Sequence, residues 1–394
     1  MTFIEVSRSV SRALHNEVNE IYISKGILQF AKSLISIFVP IFLYKLGYPL
    51  VEIIAFYLIY NLTYWVLVPL GMSLAAKWGI RHAMLYSSPV LILFYYLLRF
   101  VEGSTLVFYL APVVLGIYCM LFWPAYNIHI VKAIDPKRRA SQIGLINVII
   151  ASTAAVAPFI GGILFDNVSF DVIFWVASIL IVISALPLFL SRETYEKIHF
   201  SAKDLYHDLF VRRNAFDVVA WFGEGGEREL GFLSWSLLVF LAMESDYKGL
   251  GALTAVALII TVVVSLYFGP RVDKSKDLRG FTKSTSVLTG LSWILRGLSL
   301  KFWHFYATDI FGRGMDAALD LPFASTWLGK AEKDRDMIRY VARRQLGYHG
   351  GATLLLLVAL LIAYQLTGYD ELAVRYSIFA AGFFALLRMF MTKK

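Results

Sequence analysis

The chain has 394 residues, of which 58% are hydrophobic and only 16% are charged, and its formal net charge is +9. Because soluble domains carry about a quarter charged residues, this composition excludes an ordinary soluble protein and indicates a membrane protein. The positive charge is spread over short loops beside apolar stretches, which excludes a nucleic-acid partner and indicates contact with anionic membrane lipids. The single cysteine, Cys119, lies in an apolar stretch, so we expect neither a disulfide framework nor a thiolate metal site.

Twelve apolar stretches follow one another along the chain, each long enough to cross a bilayer as a helix. We number them spans 1 to 12 and predict them at 20–44, 50–75, 83–100, 105–130, 142–165, 171–190, 214–242, 249–269, 284–300, 303–328, 340–366 and 371–391. Short turns between most of them make consecutive helices antiparallel neighbours. The sequence therefore predicts an all-α polytopic membrane protein with twelve transmembrane helices.

The loops between the spans alternate in charge. The odd-numbered loops carry single cations, at Lys45, Arg99, Lys248 and Lys301, whereas the even-numbered loops carry clusters of Lys and Arg, as at 271–283. Loops that remain in the cytoplasm retain Lys and Arg. We therefore expect the even-numbered loops and both termini in the cytoplasm, and the protein in an inner or plasma membrane.

The chain divides near its middle. The longest loop contains Ser201 and Asp204 followed by apolar residues, which predicts a capped amphipathic helix on the inner membrane face. Pro124 and Lys132 recur as a second Pro and Lys about half a chain length later. We predict an amino-terminal six-helix bundle, a linker and a carboxyl-terminal six-helix bundle, over 1–191, 192–213 and 214–394.

Ionisable side chains inside the spans are the strongest functional signal, since each costs roughly 2.5–3.5 kcal/mol at the bilayer centre. Span 10 places four of them on one helix face: Asp309, Arg313, Asp316 and Asp320. Span 7 places four in a glycine-rich run: Glu224, Glu227, Arg228 and Glu229. The predicted proton-coupling residues are Glu224, Glu227, Asp309, Asp316 and Asp320. The alternative is a set of static ion pairs that locks the carboxyl-terminal bundle without chemistry.

Polar faces on other spans supply candidate substrate contacts. Span 1 carries Lys25, Gln29 and Lys32 on one face. The lysines suit a substrate with an anionic group, or they pair with carboxylates of span 7. The remaining predicted substrate-binding residues are Trp123, Asn127, Trp235, Arg313 and His349. A histidine at this depth is either a proton carrier or a hydrogen-bonded packing residue.

Two loop motifs resemble the major facilitator superfamily. The loop after span 8 begins G-P-R-V-D-K and contains Gly269, Asp273 and Lys274, and it is similar to the family's G-x-x-x-D-[RK] motif. The loop after span 2 looks like the same motif with Ala76 in place of the acid. The resemblance covers essentially the whole chain. It implies two matched six-helix bundles, with spans 1, 4, 7 and 10 around a central cavity.

A third motif lies in span 5. The run A-P-F-I-G-G contains Pro158, Gly161 and Gly162 and resembles an element of the family's proton-driven exporters, with Ala157 in place of its first glycine. The alternative is that the small residues and the proline only allow close helix packing and a bend.

Taken with the buried charges, the resemblance favours a secondary active transporter that works by alternating access and exports a small organic or amphipathic solute, driven by protons. Proton-coupled import of a nutrient is the alternative. An integral membrane transferase is a third hypothesis, because His199-x-x-x-x-Asp204 has the spacing of an acyltransferase motif. The sequence contains no phosphate-binding loop, which argues against ATP as the energy source. We predict a monomer with no cofactor or metal, whose partners are a small-molecule substrate, protons and membrane lipids.

Overall fold

A computed structural model describes residues 17–34, 39–167, 170–189, 193, 195, 197–242 and 247–392. Span 1 comprises the helices Glu17–Ser33 and Val39–Lys45, and the next four spans are Leu50–Trp78, Ile80–Leu98, Thr105–Ala133 and Arg139–Asn167. Span 6 is Phe170–Ala185, continued by a 3₁₀ turn, and the linker contains the helix Ala202–Asp208. Spans 7 to 12 are Ala215–Ala242, Tyr247–Lys274, Leu278–Gly297, Phe302–Lys333, Met337–Gln365 and Asp370–Leu387. A 3₁₀ turn, Arg388–Thr392, follows span 12.

Each predicted span contains a helix within the described residues, and the predicted all-α membrane fold is confirmed. Within the described part of the chain, six helices are long and apolar enough by composition alone to cross a membrane, namely those of spans 2, 4, 5, 8, 11 and 12. Spans 7 and 10 fall outside that set because their charged faces lower the mean hydropathy. These two helices depend on neighbouring helices to shield their charges from lipid.

Polar side chains fix the start of several spans, since the first N–H groups of a helix have no partner within it. Asp277 accepts a hydrogen bond from the backbone N–H of Gly280 at 2.8 Å, and Asp336 accepts one from that of Arg339 at 2.9 Å. These are the N-cap contacts of spans 9 and 11. The helices therefore begin where the sequence supplies an acceptor.

Span 2 reverses into span 3 at a single residue, Gly79. Its φ of 93° is the left-handed conformation that favours glycine. A Cβ at this position would also lie 2.6 Å from the side chain of Glu193. The Glu193 carboxylate caps span 3 by accepting hydrogen bonds from the backbone N–H groups of Arg81 and His82, at 3.1 Å each.

The helices pack in two matched groups of six. Span 1 packs against spans 5 and 6, span 2 against span 4, and span 3 against spans 4 and 6. Span 7 packs against spans 11 and 12, span 8 against span 10, and span 9 against spans 10 and 12. The second pattern is the first shifted by six helices, which is the arrangement expected of parallel repeats. The two groups meet mainly where span 5 packs on spans 8 and 10 and span 2 packs on span 11.

The glycines of span 7 allow its backbone to approach that of span 11. A Cβ at Gly225 would lie 1.8 Å from the backbone oxygen of Tyr348, and one at Gly351 would lie 2.2 Å from that of Phe222. The span 7 helix continues through its glycine-rich run without a break. In this conformation, close packing is therefore the role of these glycines.

The linker helix is present, with the predicted capping box between Ser201 and Asp204. Its apolar face contacts protein: Leu205 is fully buried, and the hydroxyl of Tyr206 donates to the backbone oxygen of Trp65 at 3.1 Å. Asp204 lies outside the spans, and hydrogen bonds from Ser201 hold the pKa of its carboxyl below the usual value. The exact boundaries of the two bundles, at 191 and 214, stay a prediction.

Candidate transport site

We call the end of the molecule that carries the even-numbered loops the basic end, after the exposed residues Lys77, Lys137, Lys276 and Lys333, and the other the opposite end. The candidate site lies between the two ends, where charged side chains of spans 1, 7 and 10 are found. Its two walls come from different halves of the chain and differ in chemistry.

The amino-terminal wall holds Lys25 in an aromatic box. Its Nζ lies 4.5 Å from the ring centroid of Trp123, 4.8 Å from that of Tyr126 and 5.6 Å from that of Phe122, all on span 4. Lys25 is 7% exposed. The structure brings the predicted residues Lys25 and Trp123 together, with the ammonium group against ring faces.

About two helical turns after Lys25 on span 1, Lys32 lies over the ring of Tyr118, with 5.6 Å between its Nζ and the ring centroid. Gln29 donates from its amide to the hydroxyl of Ser33 at 3.0 Å. Asn127 donates to the backbone oxygen of Trp123 at 2.9 Å. The amides of Gln29 and Asn127 are thus hydrogen-bonded within their own helices.

The carboxyl-terminal wall contains a first ion-pair cluster around Arg296 of span 9. Its guanidinium lies 3.0 Å from the carboxylate of Asp309 and 3.5 Å from that of Asp316. Asp309 also accepts from Arg313 at 3.2 Å. The indole of Trp235 lies against Arg296, with 5.2 Å between the guanidinium carbon and the ring. Trp235 therefore packs inside this cluster.

A second cluster centres on Arg388, just beyond span 12. Its guanidinium lies 2.9 Å from Glu227 and 2.7 Å from Asp320. Glu227 also accepts a hydrogen bond from the indole N–H of Trp293 at 3.0 Å, and Asp320 accepts one from Arg228. Sequence reasoning missed Arg388, although an arginine inside the apolar run F-F-A-L-L-R-M-F-M was a visible signal.

Two arginines near the start of span 11 complete the network. Arg343 and Arg344 are both more than nine-tenths buried. Arg344 donates to Glu224 at 2.7 Å. Arg343 lies 3.6 Å from Asp208 of the linker helix. Both charges therefore have carboxylate partners inside the protein.

Glu229 joins the two halves and was not among the predicted site residues. Its carboxylate accepts a hydrogen bond from the hydroxyl of Tyr348 of span 11 at 3.3 Å and interacts with Tyr60 and Asn61 of span 2. Asn61 in turn lies 2.7 Å from the imidazole Nδ1 of His349. His349 therefore has a packing partner across the interface between the halves, and its ring is 4% exposed.

The charged network has a buried layer and a partly open one. Side chains of Arg296, Asp309, Glu227 and Arg388 are at most 3% exposed. By contrast, Arg228 is 41% exposed, although it lies among spans 7, 10 and 11 beside Asp320, Glu224 and Tyr348. Asp316 and Arg313 are 31% and 30% exposed. These three groups therefore keep part of their surface free of protein contact while they remain bound to buried ion-pair partners.

The two halves touch at both ends, but the polar contacts concentrate from the membrane middle to the basic end. Asp273 accepts hydrogen bonds from the backbone N–H of Ala140 at 2.7 Å and from that of Ser141 at 3.0 Å, which caps span 5. Arg139 pairs with Glu332 of span 10. At the opposite end, the hydroxyl of Tyr44 donates to Asp370 at 3.3 Å.

The predicted conformational motif residues occupy two places. The backbone of Gly269 approaches span 5 closely, since a Cβ there would lie 3.1 Å from the Cα of Ser141. Lys274 is exposed. Pro158, Gly161 and Gly162 fall within the helix of span 5, in the stretch 158–173 whose side chains lie outside the described part of the structure.

Comparison with known proteins decides the class of the chain. The family model described as Major Facilitator Superfamily matches residues 21–245, which is more than half of the sequence. The chain belongs to the major facilitator superfamily. A relative from Bacillus subtilis (strain 168), the uncharacterized protein YqgE, is 22% identical over 358 residues that cover 86% of this chain and 80% of the relative.

Solved structures of the superfamily share the fold. The human organic anion transporter MFSD10 (TETRAN) has a TM-score of 0.69 at 12% identity, covering 96% of this chain and 99% of that one. The E. coli fucose:proton symporter FucP has a TM-score of 0.64 at 13% identity, covering 94% and 98%. A bacterial homologue of the iron transporter ferroportin, in its outward-facing state, has a TM-score of 0.68 at 13% identity, covering 95% and 98%.

Membership of the major facilitator superfamily makes the chain a multi-pass membrane protein and a secondary transporter. The expectation that it is not an enzyme is confirmed by this family match. Asp204 of the proposed acyltransferase spacing is held in the capping box of the linker helix, and His199 is exposed. Among the described residues, no group of three or more His, Cys, Asp or Glu side chains is placed to hold a metal ion.

Proposed function

We propose that this transporter moves a small organic solute across an inner or plasma membrane by alternating access, with the solute bound between the two halves. The observation that supports the proposal is the partly open layer of the charged network, in which Arg228, Arg313 and Asp316 keep exposed area beside buried ion-pair partners. Charges at this depth are expensive in lipid and remain hydrated beside an aqueous cavity.

Protons are the proposed coupling ion, and Asp316 is the proposed carrier. Its nearest guanidinium, that of Arg296, is 3.5 Å away, and one of its buried carboxylate oxygens has no hydrogen-bond partner. Glu224, Glu227 and Asp309 are held by arginines at 2.7–3.0 Å and are nearly inaccessible. A carboxylate with one long contact and access to water exchanges a proton at lower cost than a fully paired one.

Export is the proposed direction, with the basic end in the cytoplasm because translocated loops lose Lys and Arg. The exporter-like element around Pro158 supports export. Proton-coupled import is the second candidate. It is kept because Ala157 departs from the exporter-like element.

The proposal is tested by spin-label distances in a Cys119→Ser background. One pair, at Lys137 and Lys333, reports the basic end, and a second, at Glu102 and Lys301, reports the opposite end; all four residues are exposed. We expect the two distances to change in opposite directions when the pH falls from about 8 to about 5, and Asp316→Asn to suppress this response. Distances that never change, or that change together, contradict alternating access driven by protons.

A further inference from the structure

The charges at membrane depth are balanced differently in the two halves. In spans 7 and 10, each of five carboxylates lies within salt-bridge distance of a guanidinium: Glu224, Glu227, Asp309, Asp316 and Asp320. The guanidinium groups that hold them all belong to the same half. The negative and positive charges of this wall therefore cancel one another, and the wall offers little net charge to a solute.

The wall of the amino-terminal half has the opposite character. No carboxylate among the described residues lies within salt-bridge distance of Lys25 or Lys32, and both ammonium groups rest on aromatic rings instead. Ring faces attract a cation less strongly than a desolvated carboxylate does. A buried ammonium without a counter-ion is costly, so this wall is prepared for a negative charge.

Glu229 limits the net negative charge that a bound solute can carry. It is the carboxylate of span 7 held by the neutral donors Tyr60, Asn61 and Tyr348, and it interacts electrostatically with Lys32 across the interface between the halves. The charges of Lys25, Lys32 and Glu229 sum to a single positive charge. A dianion would bring a second negative charge against Glu229.

We infer that the solute is a small organic monoanion whose charged group binds between Lys25 and Lys32 and whose apolar body packs against Trp123 and Tyr126. The inference rests on the proposed function and names the substrate class of its site. The box around Lys25 gives the organic part a place, because Trp123 and Tyr126 present ring faces within 5 Å of the ammonium group. A cationic solute would meet two lysines. Among the described carboxylates of spans 7 and 10, only Glu229 could attract it, because the other five are paired with arginines.

The test measures the thermal unfolding midpoint of the purified protein with four matched probes at 10 mM. These are 3-phenylpropionate as the monoanion, 3-phenylpropanamide as its neutral isostere, 3-phenylpropylamine as the cation and phenylsuccinate as the dianion. A ligand that binds only the folded protein raises the midpoint. We expect a clear rise with 3-phenylpropionate and none of comparable size with the others. Equal shifts for amide and monoanion, or no shift for the monoanion, overturn the inference.

Variants of Lys32 test whether its positive charge binds the monoanionic probe. Lys32→Gln is expected to weaken 3-phenylpropionate binding at least tenfold, while Lys77→Gln, which removes an exposed lysine at the basic end, leaves it unchanged. Lys32→Glu, as a second variant, is expected to transfer the preference to 3-phenylpropylamine. Unchanged monoanion binding in both Lys32 variants contradicts the assignment.

The outcome separates this inference from the proposed function. If the spin-label distances alternate with pH but 3-phenylpropionate does not bind, the transporter mechanism stands and the substrate class is wrong. If 3-phenylpropionate binds through Lys32 while the distances stay fixed, the solute class stands and the transport cycle is wrong.

Discussion

Arg296 and Asp309 form the most enclosed ion pair of the carboxyl-terminal half, with side chains 2% and 0% exposed. Removing one partner of such a pair leaves an uncompensated charge. We expect Arg296→Met to lower the free energy of unfolding by about 3–5 kcal/mol, measured by denaturant unfolding in detergent. Arg335→Met removes a loop arginine at the basic end and serves as the control. Equal stability of the two variants would contradict the buried pair.

Glu227 and Asp316 are expected to respond differently to loss of charge, although the sequence grouped them as proton carriers. Glu227→Gln deprives Arg388 of a counter-ion at 2.9 Å and should destabilise the fold by about 3 kcal/mol or more. Asp316→Asn should cost less than about 1 kcal/mol, because the group is partly exposed and its ion pair is long. The comparison uses denaturant unfolding of both variants. A larger cost for Asp316→Asn contradicts the assignment.

The sequence identified which residues are charged at membrane depth but not which of them pair. The position of the charged residues from Asp309 to Asp320 on one helix face follows from helical spacing alone. The pairing of Glu227 with Arg388 depends on how spans 7 and 12 pack, and helical spacing within one span carries no information about that. The same limit explains why Glu229 was overlooked, since its partners Tyr60 and Tyr348 lie in two other spans.

The linker helix ties the amino-terminal half to span 11 at the position where a motif acid is missing. Asp273 caps span 5 from span 8, but its counterpart after span 2 is Ala76. Asp208 of the linker helix instead accepts hydrogen bonds from Arg339 at 2.7 and 3.0 Å, with Tyr206 anchored on span 2. This contact is a further connection between the halves at the basic end, beside the Asp273 cap and the Arg139–Glu332 pair.

Asp208→Asn should therefore loosen the basic end. The distance between spin labels at Lys137 and Lys333 is expected to shift toward longer values, because one of the polar connections between the halves at this end is weakened. Asp204→Asn changes the helix cap alone and should leave the distance distribution nearly unchanged. A distribution identical to that of the unaltered protein in the Asp208 variant contradicts a latch at this position.

The contact between spans 7 and 11 admits no side chain at Gly225. Gly225→Ala places a methyl group against the backbone of Tyr348, so we expect a loss of about 1–3 kcal/mol in the free energy of unfolding. Gly103→Ala is the matched control, because nothing lies within 4 Å of its added Cβ. Similar unfolding midpoints for the two variants would show that the close approach is not required.

Most helices could be predicted because a long apolar run in a membrane forms a helix, and each predicted span contains a helix within the described residues. The linker helix was predicted from Ser201 and Asp204, whose capping box is local in sequence. Its docking on span 2 and span 11 was not predicted, because Leu205 and Tyr206 suit a protein surface as well as a lipid surface. Which of these two surfaces the helix contacts depends on residues that are distant in the sequence.

At the scale of the whole molecule, the repeat in sequence reappears as a repeat in packing. Spans 1 to 6 and spans 7 to 12 use the same neighbours, yet the two halves carry different chemistry. Ion pairs compensate the carboxyl-terminal half, whereas Lys25 and Lys32 leave the amino-terminal half cationic. A solute between the halves therefore meets two distinct walls, and this asymmetry is what the proposed mechanism requires.

The proposed transport cycle requires that the partly open layer of the charged network borders water between the halves. The most direct measurement is the reaction of Asp316→Cys, in a Cys119→Ser background, with a membrane-impermeant thiol reagent added to either side. We predict modification from the opposite end, with Leu291→Cys, on the lipid-facing side of span 9, unreactive. An Asp316→Cys thiol that is unreactive from both sides, or no more reactive than Leu291→Cys, would show that this layer does not border water.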